Sequence, residues 1–204
     1  LTFSKIRAAS QIMANLPYVK GVRIGIKLPD TVNIMIEEES VVYAIKSSDG
    51  QWWMMDSDGR VVEQANNAKA ATATQVLGVT LEAPTVNEKG VATEMTPSET
   101  NELGELIPVS TTGAQRLTAA LQILKALENN DIVGEAASVD VTSTEDIILW
   151  YGTRYQVNLG DTSRLDYKVD CMNDAILQMS DYQSGVLDIS FTIWPNQVGY
   201  TPFA

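Results

Sequence analysis

The amino-acid sequence predicts an α+β protein, and three observations carry the prediction. Short runs such as Val22-Arg23-Ile24-Gly25-Ile26 and Val32-Asn33-Ile34-Met35-Ile36 alternate apolar with other residues, the pattern of a strand with one apolar face. Asp-Gly turns recur about every ten residues, at Asp49-Gly50 and Asp58-Gly59, as they do between antiparallel strands. Two longer stretches, 113–130 and 165–179, carry apolar residues at three- and four-residue steps, the period of an amphipathic helix.

Each element follows in chain order. Ser4 to Asn15 is predicted helical: Ile6, Ala9, Met13 and Leu16 recur at helical spacing, Ser4 is an N-cap candidate, and Pro17 ends the run. Val22 to Ile26 and Val32 to Ile36 form a hairpin reversed at Pro29-Asp30. Further strands are expected at Val41 to Ile45, Gln51 to Met55 and Arg60 to Glu63. Ala65 to Thr74 has little apolar periodicity and is expected to be a crossing loop. Val76 to Ala83 alternates again, and acidic Glu94 to Gly104, with Pro97, is expected to be a surface loop. Leu117, Ala120, Leu121, Leu124 and Leu127 make the first helical stripe, with Gly134 beyond its end. Strands at Ser138–Val141, Ile147–Tyr151 and Tyr155–Leu159 precede the second stripe of Leu165, Val169, Met172, Ile176 and Met179. Asp161, Thr162 and Ser163 are available to cap that helix. A last strand, Val186 to Thr192, places Leu187, Ile189 and Phe191 on one face; it lies either at a sheet edge, open to a partner strand, or under cover. With Pro195, Gly199 and Pro202, the tail is expected to be irregular.

Composition limits the chemistry. At 204 residues and 45% hydrophobic content the chain can bury one or two cores. A net charge of −12 disfavours nucleic acid, whose phosphates would repel it. No histidine is present, which removes the commonest general base and the commonest metal ligand. The one cysteine, Cys171, falls within helix-periodic residues as a buried, inert thiol and permits no internal disulfide. No apolar run is long enough to span a bilayer. The chain begins at Leu1 on the approach to a helix and is expected to be part of a longer protein.

Candidate catalytic groupings fail on physical grounds. Asp56-x-Asp58-Gly59 is a fragment of a calcium loop, but position 60 is Arg, which repels a cation, so these residues read as a turn. Glu37, Glu38 and Glu39 sit on a strand whose successive side chains point to opposite faces, which suits a solvated strand end. No G-x-S-x-G, G-x-G-x-x-G, Walker loop or zinc-spaced Cys/His set is present. Catalysis, metal and cofactor are therefore not expected. Trp52 and Trp53 belong to one short strand, so one must face away from the other and marks either core or a contact surface.

The wording of the hairpin is more particular than its pattern. Leu16-Pro17-Tyr18-Val19-Lys20-Gly21-Val22, then Leu28-Pro29-Asp30-Thr31-Val32, then Ile34-Met35-Ile36-Glu37-Glu38-Glu39 resemble the polypeptide-transport-associated (POTRA) domain of the FtsQ/DivIB family of cell-division proteins. The likeness continues in order through Leu77-Gly78-Val79-Thr80-Leu81, Val139-Asp140-Val141, Ile147 to Tyr151, Tyr155 to Gly160, Leu165-Asp166-Tyr167-Lys168 and Gly185-Val186-Leu187-Asp188-Ile189-Ser190. It covers nearly the whole chain, in a form resembling Gram-positive members.

This resemblance implies a POTRA domain over 1–63 whose N-terminal part is missing, a mixed β-sheet domain with two packed helices over 64–192, and an irregular tail over 193–204. It implies a non-catalytic scaffold of the divisome, without cofactor, on the extracytoplasmic side of a single-pass membrane protein at the division septum. The implied partners are FtsB/DivIC-like and FtsL-like proteins, and the implied role is support of septal peptidoglycan synthesis. The implied partner-binding residues are Val186, Leu187, Asp188, Ile189, Ser190, Phe191 and Thr192 on the last strand, with Tyr200 in the tail and Asp174 on the helix before it. The alternative is a POTRA-type chaperone module that receives polypeptides in a secretion or assembly system, which the lack of tandem POTRA units disfavours.

Overall fold

The computed structural model describes residues 4–38, 42–94, 98–100, 106–108, 111–192 and 195–203. Helix α1 (Lys5–Asn15) starts where Ser4 accepts a hydrogen bond from the Arg7 amide at 3.4 Å, so the sequence cap is the structural cap. Strands β1 (Val19–Lys27) and β2 (Thr31–Glu38) form a two-stranded antiparallel sheet, with Val22 opposite Ile36, Ile24 opposite Ile34 and Ile26 opposite Val32. The apolar sets on the two strands therefore share one face, and α1 packs on β1.

The remaining strands up to the C-terminus, apart from one small hairpin, build a nine-stranded mixed sheet. They are β3 (Tyr43–Ser47), β4 (Trp52–Met55), β5 (Val61–Ala65), β6 (Gln75–Leu81), β9 (Ala136–Asp140), β10 (Ile147–Tyr151), β11 (Tyr155–Gly160), β12 (Gly185–Asp188) and β13 (Gly199–Pro202). Their spatial order is β13-β12-β11-β10-β9-β6-β3-β4-β5. The pairs β3–β6, β6–β9 and β11–β12 are parallel and the others antiparallel. β7 (Ser98–Thr100) and β8 (Leu106–Pro108) pair separately. The acidic loop expected over Glu94 to Gly104 thus holds a short strand at Ser98–Thr100, while 95–97 and 101–104 lie outside the described residues.

Pairing also relocates other expectations. β3, β4 and β5, most of which fall within the 1–63 span that the resemblance implies for a first domain, are hydrogen-bonded into the large sheet through β6. Within the crossing loop, Asn66 caps a short helix, α2 (Asn67–Ala70), by accepting from the Lys69 amide at 2.9 Å. The tail is not irregular throughout, because Gly199–Pro202 forms β13.

Helices α3 (Gly113–Asn129) and α4 (Leu165–Gln178) lie side by side on one face of the sheet. Thr112 and Gln115 form a reciprocal capping box at the start of α3. The helix ends with Asn130 as its C-cap, within the span the stripe predicts, and Asp131 follows with φ 56°. Leu117, Ala120, Leu124 and Leu127 are buried as the stripe predicts, and meet Tyr43, Ile45, Val139, Leu149, Val157, Val169, Met172 and Leu187 in the main core. A smaller cluster of Ala44, Met54, Val62 and Ala70 occupies the opposite face around β3–β5. The Trp pair serves both faces: Trp53 packs on the main core and donates from Nε1 to Ser47 Oγ at 3.1 Å, while Trp52 packs on the smaller cluster beneath the Lys46 ammonium. The Asp56 turn is confirmed, its carboxylate accepting from the amides of Asp58 and Arg60 and from Arg60 Nε.

Candidate functional site

The residues singled out for partner contact gather at the β13 end of the large sheet. β11 runs parallel to β12 and β13 runs antiparallel to it, so β12 is bonded on both sides. Gly185 makes the second pairing possible, because a Cβ there would sit 2.3 Å from Thr201 O and 2.9 Å from the Tyr200 ring. Of the two placements left open for Val186 to Thr192, the covered one is observed, and the regular strand stops at Asp188.

The side chains of that segment divide accordingly. Leu187 and Ile189 are fully buried in the main core. Val186, Asp188 and Ser190 are half-buried on the alternate face. Asp188 Oδ1 accepts from the Ser190 amide at 3.0 Å and from Ser190 Oγ at 2.7 Å, a local turn at which the regular strand ends, while the Ile189 amide still donates to Asn158 O at 2.9 Å. Phe191 then takes φ 59°, which breaks the alternation expected of it. Thr192 is exposed.

Phe191 belongs instead to a corner cluster. Its ring lies 5.6 Å from that of Tyr167 at the start of α4, and the Arg164 guanidinium sits 4.4 Å from the Tyr167 centroid and 5.6 Å from that of Phe191. Arg164 also donates to Asn196 Oδ1 at 3.0 Å, which fastens the start of the tail to the same corner. Tyr167, Cys171 and Asp174 follow at helical spacing along one side of α4, and Asp174 is exposed. Cys171 is half-buried and raises the Tyr167 phenol above its ordinary pKa through a hydrogen bond. Phe191 and Asp174 are therefore linked by a continuous strip of α4 surface. Tyr200 lies within β13 opposite Leu187, half-buried, with its hydroxyl donating to Ser184 O at 3.1 Å.

Other side chains fix the frame and were not singled out by the sequence. Lys168 is 1% exposed, and its ammonium donates to Leu159 O, Asp161 O and Asp161 Oδ1 at 2.8–2.9 Å. That contact, with Ser163, holds the Asp161 carboxyl down at a pKa of about 2. Asp161 therefore serves Lys168 and Ser163 rather than capping α4, whose N-cap residue is Arg164, in a left-handed conformation and without a side-chain cap bond. Arg154 donates to Gln183 O and Ser180 O, holding the α4–β12 connection, and to the Tyr155 hydroxyl. No cluster of His, Cys, Asp and Glu suited to a metal ion occurs among the described residues.

No protein-family model matches the chain. Two curated proteins are similar to it. The cell division protein DivIB of Clostridium tetani is 25% identical over 185 residues, covering 89% of this chain and 62% of that protein. The cell division protein DivIB of Clostridium acetobutylicum is 34% identical over 65 residues, covering 32% of this chain and 26% of that protein. The chain thus spans about three-fifths of the length of the first relative. These relatives bear out the resemblance to the FtsQ/DivIB family.

Proposed function

We propose that this chain is an extracytoplasmic part of a single-pass, septal cell-division protein, a non-catalytic scaffold that binds FtsB/DivIC-like and FtsL-like partners and supports septal peptidoglycan synthesis. The likeness to two DivIB proteins supports the process. No helix among the described residues is long and apolar enough to cross a membrane, so the membrane anchor in this proposal rests on the family resemblance alone.

One observation carries the site: the sheet order ends at β13, which has β12 on one side and no strand on the other among the described residues. An edge strand offers a row of amides and carbonyls to an incoming strand, with affinity from the backbone and selectivity from side chains beside it. The partner adds at the outer edge of β13, where Tyr200 lies. The Phe191–Tyr167 corner and Asp174 supply the side-chain contact, and Val186 to Ser190 support the edge from behind. In this proposal the POTRA-type unit gives way to the β domain between Glu38 and Tyr43, where hydrogen bonding changes sheets.

The test is binding of the extracytoplasmic region of the FtsB/DivIC-like protein from the same bacterium, with and without the FtsL-like one, by biolayer interferometry. Phe191→Glu is expected to cost about 2 kcal/mol or more, roughly a thirtyfold loss of affinity. Tyr200→Glu is expected to weaken binding as well. Wild-type affinity in either variant, with circular dichroism showing an intact fold, removes that residue from the site. Absence of binding by the folded wild-type chain refutes the placement of the partner on this edge.

A further inference from the structure

Over β9 to β13, the face of the large sheet turned away from α3 and α4 differs from an ordinary solvated face. Leu149, Val157 and Leu187 point into the main core, so the residues that alternate with them point the other way. Trp150 of β10 lies opposite Gln156, which lies opposite Val186 of β12. In the neighbouring row, Asp140 of β9 lies opposite Ile148, and Asn158 joins Ile148 to Asp188. A solvated sheet face carries mainly polar side chains, yet this one has Ile148, Trp150 and Val186 at its middle. Phe203, beyond β13, stacks on Trp150 with the ring centroids 6.2 Å apart and the planes 25° from parallel.

Among the described residues, these four apolar side chains pack against neither core cluster. Phe203 is 42% exposed, and Ile148, Trp150 and Val186 are partly exposed. Carboxylates bracket them: Asp140 and Asp188 stand in one row three strands apart, about 14 Å at the usual strand spacing. Each uses Oδ1 to hold the turn after its strand, accepting from Thr142 and Ser190 respectively. Glu145 and Asp146, exposed in the β9–β10 connection, add negative charge at the same end of the sheet. No lysine or arginine occurs in β9 to β13, and Arg154 between β10 and β11 is engaged by Gln183 O, Ser180 O and the Tyr155 hydroxyl. The face thus joins apolar area to negative charge and complements a partner that is apolar and cationic. A segment lying flat on a sheet finds no backbone partners there, so it must satisfy its own amides and carbonyls, as a helix does.

We propose that this face docks a cationic amphipathic helix of a partner protein, its apolar stripe seated on Ile148, Trp150, Val186 and Phe203 and its lysines or arginines reaching Asp140 and Asp188. A span of about 14 Å is two to three helical turns, so the cations that meet the two carboxylates stand about nine residues apart, one at each end of the stripe. The docking does not rest on the division reading: the face is turned away from the Phe191–Tyr167 corner on α4, and no strand pairing at β13 is required.

The test is an NMR titration of the full chain with a synthetic peptide of about 18 residues of Leu, Ala, Gln and Lys, with leucines on one helical stripe and lysines flanking it. The Trp150 indole N–H and the amides of Ile148 and Val186 are expected to shift saturably, with a Kd of about 100 μM or tighter. A peptide with glutamates in place of the lysines, and one of the same residues ordered to break the stripe, are each expected to bind at least about tenfold more weakly. Trp150→Gln is expected to weaken binding about tenfold, as is Asp140→Asn with Asp188→Asn, which keeps both turn-forming oxygens. Asp166→Asn with Asp170→Asn, exposed on α4, is expected to leave binding unchanged. The wild-type indole signal decides the matter even if Trp150→Gln does not fold. Absence of a saturable shift, or equal loss in the two aspartate pairs, which marks general charge attraction, overturns the proposal. So do shifts confined to Tyr200 and Thr201, which place the peptide on the β13 edge, and indole shifts that follow protein concentration without peptide, which assign the face to a second copy of the chain.

Discussion

Lys168 shows how much of the candidate site depends on one side chain. A lysine on an amphipathic helix ordinarily reads as a solvated charge, and nothing in Leu165-Asp166-Tyr167-Lys168 distinguishes it from one. In the fold it is buried and satisfies two carbonyls and a carboxylate at the end of β11. Lys168→Met leaves those acceptors unpaired and is expected to destabilise the chain by about 1–3 kcal/mol, read from urea unfolding at pH 7. Asp161 supplies the pH dependence. Its pKa is about 2 in the folded chain against an ordinary value of 3.8, so its stabilising contribution is full above pH 3.8 and is lost as pH falls towards 2. Its side chain is 57% exposed, so solvent screening keeps the effect modest. The gap in urea midpoint between wild type and Asp161→Asn is expected to hold from pH 7 to about pH 4.5 and close towards pH 2. A gap independent of pH over that range would show that the ion pair does not stabilise the fold.

Among the elements, β13 changes the meaning of the strand before it. The wording Gly185-Val186-Leu187-Asp188-Ile189-Ser190 was legible as a strand, and the burial of Leu187 and Ile189 follows from their alternation. Its cover was not legible: Gly199-Tyr200-Thr201-Pro202 is too short for a periodic signal and contains two residues that are poor in strands. The Asp188–Ser190 turn and the left-handed Phe191 that follows it break the period of the strand, and the Arg164 stack on Phe191 joins residues 27 positions apart; sequence periodicity reports neither. The helices were legible because each buries a stripe of regular period, and the β1–β2 hairpin because its two alternations are in register. The close approach at Gly185 makes the β12–β13 pairing testable. Gly185→Ala drives a Cβ into Thr201 O, with an expected cost of about 1–3 kcal/mol. Hydrogen exchange is expected to accelerate at the Phe203 amide, which donates to Ser184 O, while α3 amides keep wild-type protection. Unchanged Phe203 protection would mean that β13 accommodates the methyl group.

At the scale of the whole molecule, stability is unevenly divided. The large sheet holds the main core beneath α3 and α4 and a second cluster on its other face, with Tyr43, Ile45, Leu124, Leu149 and Val157 fully buried. The unit of α1, β1 and β2 has Val19 as its one buried residue among those described, and Ile26, Leu28, Val32, Ile34 and Ile36 are each at least 46% exposed. A two-stranded sheet with one helix buries little apolar area, and such a unit is marginal unless its neighbours support it. The described tethers to the rest are the Tyr18 ring, which packs on the smaller cluster, and three polar contacts: Asn87 Nδ2 donates to Ala14 O at 2.8 Å, Arg60 Nη1 to Val19 O at 3.4 Å, and Lys69 Nζ to Tyr18 Oη at 3.1 Å. Local opening of α1–β2 therefore requires much less free energy than opening of the sheet core. Native-state hydrogen exchange in rising urea is expected to show β1–β2 amides exchanging through a low-energy, weakly urea-dependent opening. Amides of Val139, Leu149 and Val157 are expected to exchange only with global unfolding. A single common opening energy across all of these amides would instead make the chain one cooperative unit, and the change of sheets between Glu38 and Tyr43 would then mark a topological break without an energetic one.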